Sequence, residues 1–118
     1  MSQSSLPLQR GDLVLVNLDP AVGSEANKTR PAVVVSNDHA NLTSPVVTVI
    51  PITSNTARVY SFQVYLPQEE SGLDHDSKAQ AEQMRSLDRR RVRGSLGQLP
   101  AEAMRRLDAA LRLHLTLT

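Results

Sequence analysis

Two β-branched runs, Leu13-Val14-Leu15-Val16 and Ala32-Val33-Val34-Val35, constrain this chain more than anything else in it. Between them lies the small, polar stretch Gly23-Ser24-Glu25-Ala26-Asn27-Lys28-Thr29-Arg30-Pro31. Residues branched at Cβ suit a pleated, packed surface, and Asp19-Pro20 and Arg30-Pro31 punctuate the two runs. The reading is strand, excursion, strand. Pro31 lacks an N–H and turns the residue before it away from the helical region, so Arg30 is held extended at a strand entrance. Its guanidinium then projects from the loop base, where a planar fork is well mounted to grip a phosphate.

The rest of the chain continues in short strands. Leu13 to Leu18 is nearly unbroken in its apolar character, as expected of a strand covered on both faces, and Ala32 to Ser36 follows as a second. Asn37 to Ser44 has turn composition and no apolar period. Val46 to Thr53 reads as a third strand, with Pro51 implying a bulge or an edge position. Tyr60 to Leu66 reads as a fourth, with Tyr60, Phe62 and Val64 on one face. An acidic loop spans 67–77. Ser77 to Leu87 is ambiguous, because its residue types favour helix while its pattern weakly alternates. Asp88 to Arg91 suits one helical turn, and Val92 to Leu99 a last strand. After Pro100, Met104, Leu107, Leu111 and Leu115 recur at spacings of three and four, the stripe of an amphipathic helix. Short strands closed by one helix imply a mainly β fold, a small SH3-like β-barrel with a C-terminal helix.

Composition sets limits on partners and surroundings. A chain of 118 residues is one domain, read as 8–118 behind a flexible tail over 1–7. With two Tyr, one Phe and no Trp, its core must be built from Val, Leu, Ile and Ala. Small domains bury a modest share of their surface, which favours a homodimer. No Cys is present, as suits a reducing cytoplasm, and neither a secretory signal nor a membrane-length apolar stretch is visible. The net charge of +1 conceals segregation. Arg85, Arg89, Arg90, Arg91 and Arg93 crowd nine residues, whereas Glu69, Glu70, Asp74 and Asp76 gather in the acidic loop. That Arg cluster is read as binding RNA, a protein partner, or neither.

Metal or cofactor chemistry is not expected. His39, His75 and His114 are isolated, paired ligand spacings are missing, and no Gly-rich phosphate loop occurs. His75, between Asp74 and Asp76, reads as surface decoration, and His114 as a helix-flank residue.

Arg10-Gly11-Asp12, Gly23-Ser24-Glu25 and Arg30-Pro31, then Pro51-Ile52-Thr53-Ser54 and Glu82-Gln83-Met84-Arg85-Ser86-Leu87-Asp88, stand here in one order. In that order, and with the terminal helix, the chain resembles the MazF/PemK (Kid) toxin endoribonucleases over residues 8 to 117. The resemblance implies the CcdB/PemK/MazF-like barrel, reads 77–87 as strand, and implies a cytoplasmic, homodimeric toxin held by a MazE-like antitoxin. It implies sequence-specific cleavage of single-stranded RNA without a metal, leaving a 2′,3′-cyclic phosphate and a 5′-hydroxyl.

Such a reaction must take a proton from the 2′-hydroxyl, return one to the leaving oxygen, and stabilise charge on the pentacoordinate phosphorus. The resemblance assigns catalysis to Arg30 and Thr53: a fork for two phosphoryl oxygens, and a hydroxyl that both donates and accepts. Ser24, Glu25, Ser54, Glu82, Gln83 and Arg85 are the expected substrate-binding residues. Glu82 also matches a position where some relatives carry an acidic catalytic residue, which leaves it a candidate base. Two departures bear on that scheme, since Ser24 stands where those relatives have His and Gln80 where they have Arg. The alternative is a toxin of the same fold that poisons a protein, such as DNA gyrase, without cutting RNA.

Overall fold

Eight residues without a glycine, Val46–Thr53, form β3, the strand on which the rest of the sheet is hung. The computed structural model describes residues 7–118, so the expected tail lies outside the described residues except for Pro7. The other strands are β1 (Asp12–Asn17), β2 (Thr29–Val34), β4 (Gln63–Leu66), β5 (Ser77–Gln80), β6 (Arg85–Asp88) and β7 (Val92–Gln98). Helices α1 (Asp38–Thr43), α2 (Gln68–Ser71) and α3 (Ala101–Leu115) complete the chain, with single 3-10 turns over Ala81–Gln83 and Arg89–Arg91.

All pairings are antiparallel, in the order β4-β5-β3-β2-β1-β7. One edge of β3 carries β2; the other carries β6 along Val46–Val49 and β5 along Ile52–Thr53. Pro51 therefore sits at neither an edge nor a bulge of β3. It stands where neither β5 nor β6 is in register, opposite Ala32 of β2, so its missing N–H falls beside a gap. The segment expected as one strand over 77–87 is two, β5 and β6, parted by the 81–83 turn that spans the same gap.

The sheet is curled but open, because β4 and β7 end it without pairing to each other among the described residues. Helix α3 packs on β4 and on the 81–83 turn. Residues alternate between two cores, which explains the unbroken apolar run of β1. Leu13, Val33, Ile50, Ile52 and Leu66 face α3, whose Ala103, Leu107 and Ala110 are buried against them. Val14, Val16, Val34, Val47, Val49 and Leu87 form the core of the opposite face. Met104 and Leu111 of the helix stripe flank the first core, but Leu115 is 43% exposed, so the stripe outruns what it covers.

Three segments depart from expectation for local reasons. Asn37 to Ser44 holds α1 rather than a turn. Asn37 Oδ1 accepts from the Ala40 N–H at 2.8 Å, and the helix buries a polar residue, Asn41, so no apolar period betrays it. Asn41 is held by the Ser36 carbonyl at 2.8 Å and by the Ser36 hydroxyl. The fourth strand begins only at Gln63, since the Gln63 N–H closes a turn on the Tyr60 carbonyl. Tyr60 is thus exposed, its ring stacked on Phe62 at 5.3 Å. Within the acidic loop, α2 is a single turn ended by Gly72 at φ +76°, a left-handed cap that suits glycine.

Candidate active site

The register that builds the sheet also builds the site. Ala32 pairs with Pro51 and Val33 with Ile50, and beyond the end of that ladder lie Arg30, near the start of β2, and Thr53, at the end of β3. Both residues line one cleft of about 360 Å³. Ser54 shares it. Leu15, Ile52 and Leu96 supply apolar walls, and Asp74 and His75 of the acidic loop also line it. Leu96 reaches the cleft because β7 is bulged: Leu13 pairs with Gly97 and Val14 with Ser95, which leaves Leu96 between them unpaired. Gly97 makes the bulge possible at φ +132°.

Arg30 is half-buried and anchored from one side. Its Nε donates to the Asn27 carbonyl at 2.7 Å and its Nη2 to Asn27 Oδ1 at 3.3 Å. Both bonds use the Nε side of the guanidinium and leave the Nη1–Nη2 end without a protein partner among the described residues. Thr53 Oγ1 accepts from the Asn55 N–H at 3.2 Å, which orients the hydroxyl and leaves its proton to donate. The pair therefore presents two parallel N–H donors and one hydroxyl across neighbouring strands, a constellation suited to holding a phosphodiester.

The other expected residues gather in a second groove of about 570 Å³, lined by Ser24, Glu25, Glu82, Gln83, Met84 and Arg85 with Val22 and Ala26. The loop over 22–28 lines this second groove and is tied to the first through Asn27, which anchors Arg30. That loop is latched. Gln83 Oε1 accepts from the Ala26 N–H at 3.0 Å, Gln83 Nε2 donates to the Ser24 carbonyl at 3.2 Å, and Glu25 Oε1 accepts from the Val22 N–H at 2.8 Å. The Gln83 amide, read in the sequence as facing substrate, is occupied by the loop.

Glu82 is not in the Arg30 cleft. It lies on the 81–83 turn, where Oε2 accepts from Gln63 Nε2 at 2.6 Å and Oε1 is buried without a partner. Gln63 is itself buried and fixed by the Tyr60 N–H at 3.0 Å.

Most of the Arg cluster ties the chain to itself. Arg85 donates to the Leu18 carbonyl at 3.1 Å, Arg91 to the carbonyls of Asn17 and Asp19, and Arg89 to that of Asn41. Arg90 pairs with Asp88 at 3.0 Å and, through side-chain and backbone hydrogen bonds, holds that carboxyl down to about 2. Asp88 also caps the 89–91 turn, the one helical turn expected there.

Residues missed in the sequence come from the acidic loop and β5. His75 and Asp74 line the cleft, and Lys78, registered opposite Thr53, is buried with Nζ on the Arg58 carbonyl at 2.6 Å. Nothing in the local sequence pairs His75 with Arg30; only the ladder of β5 on β3 does. Among the described residues no group of His, Cys, Asp and Glu is arranged to hold a metal ion, and no helix is long and apolar enough to cross a membrane.

Residues 9–115 match the PemK-like, MazF-like toxins of type II toxin-antitoxin systems. The chain is 52% identical over 115 residues to endoribonuclease MazF9 of Mycobacterium tuberculosis, covering 93% of this chain and 98% of that one. Among solved structures it resembles MazF from Deinococcus radiodurans, with a TM-score of 0.81 and 31% identity over 94% of this chain and 98% of the other. It also resembles the MazE–MazF structure from that organism, with a TM-score of 0.74 and 27% identity over 96% and 99% of the two chains.

Proposed function

The chain belongs to the PemK-like, MazF-like toxins of type II toxin-antitoxin systems, and from that premise we propose that it cuts single-stranded RNA at the Arg30–Thr53 cleft. It is an endoribonuclease toxin whose partners are RNA and a cognate antitoxin. The reading as a poison of a protein target is not favoured, since the relative at 52% identity is an endoribonuclease.

The observation that carries the choice of site is an anchored guanidinium and a strand-end hydroxyl lining one cleft. The 2′-oxygen attacks phosphorus, the P–O5′ bond breaks, and negative charge grows on the two non-bridging oxygens. The Nη1–Nη2 end of Arg30 meets those oxygens with two N–H groups, and Thr53 donates to one of them. Fixed donors aimed at charge that develops in the transition state lower the barrier without reorganising. Arg30 does not serve as a base, because a guanidinium keeps its proton. The latched loop and the second groove, with Ser24, Glu25, Glu82, Gln83 and Arg85, position the strand on either side, and Ser54 extends the cleft. Recognition rests on hydrogen bonds along these grooves, since a chain with three aromatic residues offers little stacking surface.

The active form is a cytoplasmic homodimer. Leu113, Leu115 and Leu117 are exposed at the end of α3, beside a groove of about 820 Å³ along Tyr65, Ala109 and Leu113, and a second copy would cover this apolar surface. The antitoxin silences the enzyme by covering the RNA grooves, an acidic segment meeting the open end of Arg30. The whole reading is tested by incubating the protein with mixed-sequence RNA in excess EDTA and analysing the ends. Cuts that persist and leave a 2′,3′-cyclic phosphate and a 5′-hydroxyl support it; a strict need for Mg²⁺ or 5′-phosphate products refute it.

A further inference from the structure

We infer that His75 is the general base of the cleft, taking the proton from the attacking 2′-hydroxyl. The inference deepens the reading of the Arg30–Thr53 cleft and rests on it. A cleaving site needs a group that accepts a proton near neutral pH. Arg30 and Thr53 do not supply one, and Glu82 lies in the other groove with its carboxylate turned to Gln63.

The acidic loop brings two titratable side chains to the cleft wall, Asp74 and His75. Carboxylates are weak bases toward an alcohol, whereas an imidazole is matched to the operating pH and can take and give up a proton there. Among the described residues the His75 ring makes no hydrogen bond within the protein, although the chain that follows it is held. Ser77 Oγ donates to the His75 carbonyl at 2.9 Å, and Asp76 Oδ1 accepts from the Gln68 N–H at 2.8 Å. Leu73, buried in the core, and Ser77, the first residue of β5, pin the two ends. The ring lies exposed at the cleft wall, so no bond inside the protein has to break for it to take a proton. The charged groups facing it are few. β2 contributes Arg30 and the loop contributes Asp74, with Asp76 next in the chain; β1, β3 and β7 contribute only Leu15, Ile52, Thr53, Ser54 and Leu96.

In the step itself, the 2′-O–H bond breaks as its proton passes to the imidazole and the 2′-O–P bond forms. The P–O5′ bond then breaks, and the leaving oxygen takes a proton from water at the open mouth of the cleft. The imidazolium returns its proton to solvent, so no proton is gained or lost overall.

The test uses the full chain and a short oligonucleotide synthesised from the sequence that the wild-type protein cuts fastest in mixed RNA. Wild-type kcat/KM should rise with pH across the range in which imidazoles titrate. His75→Gln should lower kcat by about 10²-fold or more with little change in KM, and the rising limb should vanish. Asp74→Asn should keep the limb. A His75→Gln enzyme that retains the limb, one altered only in KM, or an Asp74→Asn enzyme that alone loses the limb would each overturn the inference. Arg30→Ala run in parallel separates the two levels. If Arg30→Ala is inactive while His75→Gln cleaves normally, His75 falls and the cleft stands; if both cleave normally, both fall.

Discussion

Arg30→Ala is the perturbation whose consequence can be worked out most fully. A guanidinium carries five N–H groups. One, from Nε, is spent on the Asn27 carbonyl at 2.7 Å, and one from Nη2 reaches toward Asn27 Oδ1 at 3.3 Å, beyond the usual range for a strong bond. Five less two leaves three, including one on each terminal nitrogen, which together form the end that can hold two phosphoryl oxygens. Charge-assisted hydrogen bonds contribute about 1.5–3 kcal/mol each, so two give roughly 3–6 kcal/mol. Part of that already exists with the singly charged phosphodiester of the ground state, which leaves about 3 kcal/mol specific to the transition state. At about 1.4 kcal/mol per tenfold, single-turnover cleavage should slow by about 10²-fold. Folding should suffer little, because Arg30 is half-exposed and its loss removes one good bond, about 1 kcal/mol and a few degrees in Tm. Arg30→Lys keeps the charge but cannot hold Asn27 and two phosphoryl oxygens at once, so it should recover only part of the rate. A single-turnover rate for Arg30→Ala within about threefold of wild type, under 1 kcal/mol, with unchanged thermal unfolding, would show that this fork stabilises no transition state.

Further outcomes are expected from the fold and its surface. Leu113→Glu, which places a charge on the exposed end of α3, should shift the protein from dimer to monomer in sedimentation at micromolar concentration, and an unchanged dimer would assign the interface elsewhere. Leu107→Ala removes a side chain with no exposed surface between α3 and the sheet and should cost about 2–5 kcal/mol in urea unfolding; a cost below about 1 kcal/mol would mean that the site collapses around the change. Asp88 should titrate near 2 by NMR, because Arg90 stabilises its carboxylate. With the folded value below the unfolded one, its contribution to stability is present above the unfolded pKa and disappears as pH falls through about 2. Arg90→Ala should move that midpoint upward, and an unmoved midpoint would assign the shift to another cause.

Much of this arrangement is legible in the residues because its causes are local. The β-branched runs of β1 and β3 and the Pro31 before which Arg30 must extend are properties of a few neighbouring residues. So are the 89–91 turn and the helix started by Pro100, and each appears where its residues imply. Segments whose cause is not local depart from what their residues imply. The helix over 38–43 buries Asn41 instead of an apolar face, and residues 77–87 divide because β3 changes partner along one edge. The MazF-like fold is the one the resemblance implies, although β4 and β7 do not pair among the described residues.

By itself, the sequence determined β1, β2, β3 and the terminal helix, the all-aliphatic core and the presence of an extended Arg before a proline, since propensity, periodicity and ring closure act over a few residues. It also held the ordered motifs that identify the toxin family. Which side chains meet was decided only by the tertiary structure. The pairing of β2 with β3 brings Arg30 and Thr53 to one cleft, the β5–β3 ladder carries His75 to the same cleft, and the turn at 81–83 turns Glu82 toward Gln63. Register depends on which faces are buried against partners far away in the chain, and a slip of one residue would point each of these side chains to the other side of the sheet.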